Sequence, residues 1–179
     1  MPPFPLDTRR SPFERANAYK KSALEEWEEN SQYCGQDICV ALKLVEARLR
    51  DETSDDKSAP LSTVVFELRI TPDLCTPEGS VHGGVVPLIF DITTSSAINA
   101  AAKPGFWDNS HSSRTLSCSY LRPVKMGETV LIESELVALG KRSALTRGVM
   151  RKKGRNGQKG EACYTCEHDK VNTGNPPKI

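Results

Sequence analysis

Two features of the stretch GSVHGGVVPLIFD could support chemistry: the sequence His82-Gly83-Gly84 and a single aspartate, Asp91. Pro87 requires a helix here to begin near Gly84, because proline is tolerated only in the first turn. The amides of the two glycines are then expected to lie unpaired at the positive end of the helix. They could bind a phosphate or the oxygen of a polarised carbonyl group. Asp91 could supply the matching base or nucleophile.

Asp91 lies among large apolar residues, and burying its carboxylate without a partner would be costly. It is therefore expected to be paired, exposed at a groove, or used in catalysis. On one helix, Gly83 and Asp91 would be separated by roughly 12 Å at about 1.5 Å rise per residue, too far to contact one carbonyl group. If both are catalytic, the site combines Gly83 of one subunit with Asp91 of another, which requires a two-fold dimer.

Structural explanations also stay open for these residues. His82 could be a structural hydrogen-bonding group, the glycines could form only a turn, and Asp91 could be ion-paired with a lysine or arginine. The cluster Cys163, Cys166 and His168 has residue types that bind zinc. Its two cysteines would point to opposite faces of a strand, and the sequence has no second CxxC pair, so no metal site is predicted.

The surrounding sequence predicts a sheet around this one helix. Strand-like alternation in ICVALKLVEARL, between residues 37 and 50, and in LSTVVFELRI, at residues 61–70, predicts a long hairpin. After the helix, further strands are predicted in SRTLSCSYL, ETVLIESELVAL, SALTRGVMRKK and GEACYTCEHDKV. Consecutive strands around one buried helix indicate an α+β fold with a mainly antiparallel sheet.

The two ends of the chain are predicted to lie outside this domain. Near the N-terminus, helical spacing predicts a peripheral amphipathic helix that contains Tyr19, Ala23, Leu24 and Trp27. The predicted division is an N-terminal extension, a single domain and a disordered tail, at residues 1–34, 35–170 and 171–179.

Composition limits the partners. The 179 residues carry 24 Lys plus Arg against 23 Asp plus Glu, so no nucleic-acid partner is predicted. Six cysteines and a start without an apolar signal core predict an intracellular, cytoplasmic protein. Five basic residues among the first 21 leave a mitochondrial destination open, and the C-terminal Pro-Lys-Ile is a poor relative of the peroxisomal signal. No apolar window approaches the roughly 18 residues of a membrane span.

The motif His82-Gly83-Gly84 followed by Asp91 resembles the HGG motif of hotdog-fold acyl-CoA thioesterases, in the PaaI-type group that includes acyl-CoA thioesterase 13. The segment YLRPVKMGE, residues 120–128, resembles the Tyr-x-x-Pro-x-x-x-Gly-(Glu/Asp) pattern of the same family. The order of elements also matches over most of the chain. The resemblance implies an antiparallel sheet of five or six strands wrapped around the HGG helix, and a homodimer or homotetramer.

The resemblance also implies a role for each motif residue. Asp91 corresponds to the family's general base or nucleophile, and Gly83 to its oxyanion-hole amide. His82 corresponds to a supporting polar group, and Ser113 to the hydroxyl that helps position the attacking water. One position departs from the pattern, because Thr76 stands where the family often has asparagine. Its shorter side chain is expected to affect the rate more than the type of reaction.

Thioester hydrolysis suits these few groups, because a thiol leaving group with a pKa of about 8.5 departs without a strong general acid. No metal or other cofactor is predicted. Coenzyme A carries phosphates, and the family's CoA-contacting basic residues lie at strand ends, as Lys125, Lys141 and Arg142 are predicted to do. Together with Gly84 and Thr76, these are the candidate substrate-binding residues.

The sequence therefore predicts hydrolysis of acyl-CoA thioesters, in which Asp91 activates water and the Gly83 amide of the partner subunit polarises the carbonyl. Two other functions stay open. One is a thioesterase that acts on an acyl or polyketide chain attached to a carrier protein. The basic residues between Glu135 and Glu161 would then bind an acidic carrier protein. The other is a hotdog protein that binds acyl-CoA without cleaving it.

Overall fold

The computed structural model describes residues 6–18, 35–53, 55–56 and 58–174. The strands are β1 (Lys43–Leu49), β2 (Ser62–Arg69), β3 (His111–Tyr120), β4 (Thr129–Leu139), β5 (Ser143–Lys153) and β6 (Lys159–Asn172). The described helices are α1 (Pro12–Ala16), α2 (Gln36–Ala41) and α3 (Val85–Ala101), with a 3-10 turn at Pro72–Leu74. All six strands pair antiparallel in one sheet, in the order β1-β2-β4-β5-β6-β3. The predicted α+β class and antiparallel sheet are confirmed.

Helix α3 is the element around which the sheet packs. It begins directly after Gly84 and carries Pro87 in its first turn, as the sequence predicted. From Ile92 to Ala100 every residue is buried, because the small and apolar side chains allow the strands to approach closely. Gly148 of β5 shows how close the sheet lies, since a Cβ atom there would be 2.6 Å from the Phe90 ring. None of the described helices is long and apolar enough to cross a membrane.

Strand β3 lies at one edge of the sheet. It pairs with β6 on one side, and no strand of the described chain pairs with its other side. A bulge at Arg114 interrupts the ladder, so that Ser113 faces Lys170 and Leu116 faces His168. All ten residues of β3 are at least partly exposed. The free edge is therefore a template on which another strand could pair.

The start of the predicted hairpin was wrong, because residues 36–41 form α2 rather than a strand. Ile38, Cys39 and Leu42 are all buried. Adjacent residues point to opposite faces of a strand, whereas positions i, i+1 and i+4 share one face of a helix. The rest of the hairpin is confirmed, since β1 and β2 pair antiparallel.

The N-terminal segment packs against the last turn of α3. Within α1, the buried Arg15 side chain donates a hydrogen bond of 2.5 Å to the carbonyl of Ala100. A cation at this position stabilises the negative end of the helix dipole. The predicted amphipathic helix of Tyr19, Ala23, Leu24 and Trp27 lies outside the described residues.

The C-terminal boundary of the domain is later than predicted. Strand β6 continues to Asn172, and the amides of Thr173 and Gly174 both donate to the carbonyl of Ser110 at 3.1 Å. The predicted disordered tail was therefore wrong for residues 171–174, because these backbone groups are hydrogen-bonded to the domain. The rest of the tail lies outside the described residues, and the division at residue 34 stays a prediction.

Candidate functional site

The Asp91 carboxylate is the centre of a polar cluster on α3. Its Oδ1 atom accepts hydrogen bonds from Ser113 Oγ at 2.7 Å and from Lys170 Nζ at 3.0 Å. Lys170 also donates to Ser113 Oγ at 3.2 Å. The three side chains therefore form a closed triangle. Asp91 keeps 35% of its side chain exposed, and its Oδ2 atom accepts no hydrogen bond from the described residues.

Three elements position this cluster. Asp91 lies two turns into α3, while Ser113 and Lys170 are cross-strand partners on β3 and β6. Alternate residues of a strand share a face, so His168 lies on the same inner face as Lys170. The bulge at Arg114 keeps Ser113 on this face even though Leu116, three residues later, also faces inward.

The charges of the cluster interact strongly because Lys170 and His168 are buried beside the Asp91 carboxylate. Burial raises the pKa of Asp91, but the Lys170 ammonium and the Ser113 hydrogen bond outweigh it, so that the net pKa lies below its ordinary value. Burial also lowers the pKa of Lys170, although the neighbouring carboxylate partly offsets this. Asp91 is therefore ionised at neutral pH and paired with a cation.

His168 is completely buried beside the same carboxylate, with Nε2 at 3.6 Å from Asp91 Oδ1. The Thr94 hydroxyl donates to the carbonyl of Phe90 at 2.6 Å, so its oxygen must accept from His168 Nδ1 at 2.7 Å. Burial and Lys170 lower the pKa of His168 to about 4. The ring is therefore neutral and carries its proton on Nδ1. Its Nε2 atom has no hydrogen-bond partner among the described residues.

The HGG motif forms the turn that leads into α3. The carbonyl of His82 accepts from the amide of Val85 at 2.9 Å, which fixes the peptide that carries the Gly83 N–H. The Tyr120 hydroxyl donates to the carbonyl of Gly83 at 2.7 Å. No acceptor for the Gly83 amide is present in the described part of the chain. This exposed N–H can donate to a developing oxyanion.

The prediction that both glycine amides are free was wrong for Gly84. Its amide donates to Nδ1 of His82 at 3.0 Å, because the imidazole ring folds back over the turn. His82 is thus a supporting group, and a contact of Gly84 with substrate would have to use something other than its N–H. Of the two glycine amides, that of Gly83 is the one without an acceptor among the described residues.

Thr76 and Lys125 lie near this end of α3. The Thr76 hydroxyl hydrogen-bonds to the Glu78 carboxylate and lowers the pKa of Glu78. The amide of Thr76 donates to the carbonyl of Ser80 at 2.7 Å. Lys125 Nζ donates to Ser80 Oγ at 2.9 Å. Both side chains are therefore engaged in holding the loop that precedes the HGG turn.

Lys141 and Arg142 lie at the opposite end of α3 from Lys125. They form the turn between β4 and β5, where the Trp107 indole donates to the carbonyl of Gly140 at 2.7 Å. Within one chain, these two cations therefore cannot bind the same phosphate as Lys125. The basic hairpin between β5 and β6 is largely paired with acids, through Lys152 with Glu128, Lys153 with Glu67, and Lys159 with Glu133.

The sequence analysis missed Lys170 as a member of the site and placed His168 only in a zinc cluster. The described residues contain no group of three or more His, Cys, Asp or Glu side chains arranged to hold a metal ion. The signal that could have found Lys170 is the alternation of β6, where Cys166, His168 and Lys170 occupy successive inward positions. A lysine at an inward position requires an acid partner, and Asp91 is the acid on the helix that this face covers.

Known sequences include relatives of this chain. Residues 78–158 match the family model of the thioesterase superfamily. A Caenorhabditis elegans protein that carries the name putative esterase is 29% identical over 92 residues, which are 51% of this chain and 52% of the relative. The chain therefore spans about half the length of the curated relative that it matches.

Solved structures share the fold over most of the chain. Zebrafish thioesterase superfamily member 2 superposes with a TM-score of 0.64 at 17% identity, over 87% of this chain and 96% of that chain. The PaaI protein of the Escherichia coli phenylacetic acid degradation operon gives 0.62 at 12% identity, over 92% and 98%. A Streptococcus mutans protein bound to acetyl CoA gives 0.57 at 14% identity, over 81% and 94%. These likenesses confirm the hotdog fold, and the family match agrees with the resemblance to thioesterases.

Proposed function

We propose that this hotdog-fold chain, which matches the thioesterase superfamily over residues 78–158, is an acyl-CoA thioesterase. The family match supports the broader class, a thioester hydrolase. The observation that carries the finer proposal is the Asp91 carboxylate, held through Oδ1 by Ser113 and Lys170, with Oδ2 left open. An ionised carboxylate in a fixed position can accept a proton from water.

The reaction uses water as the nucleophile. Asp91 Oδ2 takes a proton from water while the water oxygen attacks the thioester carbonyl carbon. The carbonyl oxygen becomes an oxyanion that accepts a hydrogen bond from the Gly83 amide. The intermediate then breaks its C–S bond and releases CoA thiolate, which takes up the proton that Asp91 holds. Because the thiol pKa is about 8.5, the thiolate leaves without a strong acid.

The two halves of this site are proposed to come from different copies of the chain. Tyr120, at one end of β3, bonds to Gly83, whereas Ser113, near the other end, bonds to Asp91. Two β3 strands paired antiparallel through their free edges would place the Tyr120 end of one copy opposite the Ser113 end of the other. We therefore expect a homodimer with two shared sites, alone or within a homotetramer.

Coenzyme A esters are the proposed substrates. The superposed Streptococcus mutans protein is bound to acetyl CoA, and its fold is shared by this chain. Lys141 and Arg142 are exposed in a turn and could approach a phosphate group. The proposed location stays the cytoplasm, as expected from the sequence.

The proposal is tested by thiol release from a panel of acyl-CoAs. Asp91→Asn should leave a folded protein and lower turnover by about 10² to 10⁴, the range for losing a positioned base. An unchanged rate would remove Asp91 from the mechanism. Turnover of the same acyl groups attached to a carrier protein tests the alternative of a carrier-protein thioesterase. Binding of acyl-CoA without turnover would favour the alternative of a non-catalytic acyl-CoA-binding protein.

The shared site has its own test. Gly83→Pro removes the amide donor, whereas Gly83→Ala keeps it and places a Cβ at an ordinary 3.9 Å from Tyr120. The proline variant and Asp91→Asn should each be inactive, but co-refolding them in equal amounts should restore about a quarter of wild-type activity. Half of the dimers are then mixed, and each mixed dimer has one intact site. Subunit exchange without recovered activity would show that each site lies within one chain.

A further inference from the structure

The geometry points to Lys170 as a positioning residue of this site, which holds Oδ1 of Asp91 against Ser113 and leaves Oδ2 to face the water. This inference rests on the proposed function, in which Asp91 accepts a proton. Lys170 itself does not touch the reacting atoms. It acts through the carboxylate, so its contribution should appear in the acidity of Asp91 rather than only in the maximal rate.

The burial of Lys170 is the first observation behind this role. The residue is only 3% exposed, although lysine is among the residue types that are almost never fully buried unless paired. Its ammonium donates to Asp91 at 3.0 Å and to Ser113 at 3.2 Å. Both acceptors belong to the proposed site, and within the described part of the chain the ammonium has no other hydrogen-bond partner.

The pattern of hydrogen bonds is the second observation. The Ser113 hydroxyl donates its single hydrogen to Asp91, so its oxygen is available to accept from Lys170. Both donors reach the same carboxylate oxygen, Oδ1. The carboxylate plane is thereby fixed from one side only. Its second oxygen is left at the exposed part of the side chain.

Among the described residues near Lys170, only Asp91 can balance the charge of its ammonium group. His168 is neutral near pH 7, because its pKa is lowered to about 4. The titratable groups that interact with Asp91 and Lys170 come from three elements, and besides Asp91 itself on α3 they are His111 on β3 and His168 on β6. The next acid on β6, Asp169, is adjacent to Lys170 and therefore points to the other face of the strand. Asp169 is paired with Arg114. Asp91 is therefore the acid that balances the buried lysine.

Removing the ammonium should raise the pKa of Asp91, because burial remains while the main opposing charge is lost. In the wild-type protein the carboxylate stays ionised into the acidic range. In Lys170→Met, which keeps the length of the side chain but not its charge, the acid limb of kcat/KM should move to higher pH. The fraction of the plateau value that is retained at pH 4 should fall by about tenfold or more.

The matched control is Lys159→Met, the same replacement on the same strand at an exposed lysine paired with Glu133. It should leave the acid limb at the wild-type position. If Lys170→Met lowers kcat/KM by the same factor at every pH, the residue has only a structural role. The inference would also be overturned if the acid limb of the kcat/KM profile moved equally in Lys170→Met and Lys159→Met.

A second measurement does not depend on activity or on the folding of the variant. The Asp91 carboxyl carbon of the wild-type protein can be titrated by ¹³C NMR, with Asp91→Asn used to assign the signal. A midpoint below the ordinary aspartate value supports the inference, and a midpoint above it overturns it. If the protein hydrolyses no thioester at all, the proposed function fails, but this titration still tests whether Lys170 and Ser113 together hold the pKa of Asp91 low, and the same titration of Lys170→Met separates the lysine from the serine.

Discussion

Replacing His168 with asparagine should make the stability of the protein less sensitive to acid. Burial and the Lys170 ammonium lower the pKa of His168 from 6.5 to about 4, and the Asp91 carboxylate only partly opposes them. The folded pKa therefore lies below the unfolded one. Between these two values the unfolded chain binds a proton that the folded protein does not, so stability is lost as the pH falls through this window.

The size of the effect follows from the two pKa values. A pH of 5 lies about 1.5 units below the pKa of 6.5 that the imidazole has in the unfolded chain, so the unfolded imidazole is protonated. The imidazole of the folded protein is still mainly neutral at this pH. At about 1.36 kcal/mol per unit, the wild-type protein loses about 2 kcal/mol relative to pH 7, or roughly 4–8 °C in Tm. Burial also lowers the pKa of His111, to about 3, which adds a loss of the same sign in both proteins.

The assay is urea unfolding of the wild-type protein and the variant at pH 5 and pH 7, at one protein concentration because association would shift the apparent stability. Asparagine keeps an N–H near the position of Nδ1, so the bond to Thr94 can be retained. The quantity compared is the pH effect in each protein, not the absolute stability. The variant should lose about 2 kcal/mol less than the wild type. An equal loss in both would refute a His168 that stays neutral in the folded protein at pH 5.

Three further outcomes are expected. Replacing Lys141 and Arg142 together with alanine should raise KM for CoA esters, more at low salt than at high salt, and a fall in kcat alone would contradict phosphate binding. Gly148→Ala should destabilise the fold by about 1–3 kcal/mol in urea, because its methyl group would lie 2.6–2.8 Å from a buried ring and a cysteine sulfur. Gly154→Ala, with only a 3.4 Å contact, is the control and should cost far less. Tyr120→Phe should lower kcat by up to about tenfold through the lost bond to the HGG turn and leave urea unfolding unchanged.

Local sequence rules were sufficient to predict the start of the central helix and the strands that follow it. Pro87 sets where α3 begins, because proline is excluded beyond the first turn, and the helix does begin after Gly84. The later strands were predictable from alternation between turn signals. The same reasoning failed at residues 36–41, where Ile38, Cys39 and Leu42 are buried together on one face of a helix.

The composition of the site could be predicted only in part. Asp91 and Ser113 were expected together, and their side chains are 2.7 Å apart. Lys170 was not expected, because its partner is decided by the register of β3 and β6 and by the bulge at Arg114, neither of which is encoded in a short pattern. The capture of the Gly84 amide by His82 also depends on a side-chain rotamer, so the sequence alone could not show that one of the two amides is occupied.

The paired state of Asp91 is itself informative about the chemistry. A carboxylate whose pKa is lowered by Lys170 is a weak base, so it can assist water only against a reactive electrophile. A thioester is such an electrophile, and its thiolate, with a conjugate-acid pKa of about 8.5, leaves unaided. An oxygen ester would release a far more basic alkoxide and would need a general acid, but His168 is neutral, with its proton held by Thr94. The charge state of the cluster therefore favours thioester over oxygen-ester hydrolysis, independently of the family match.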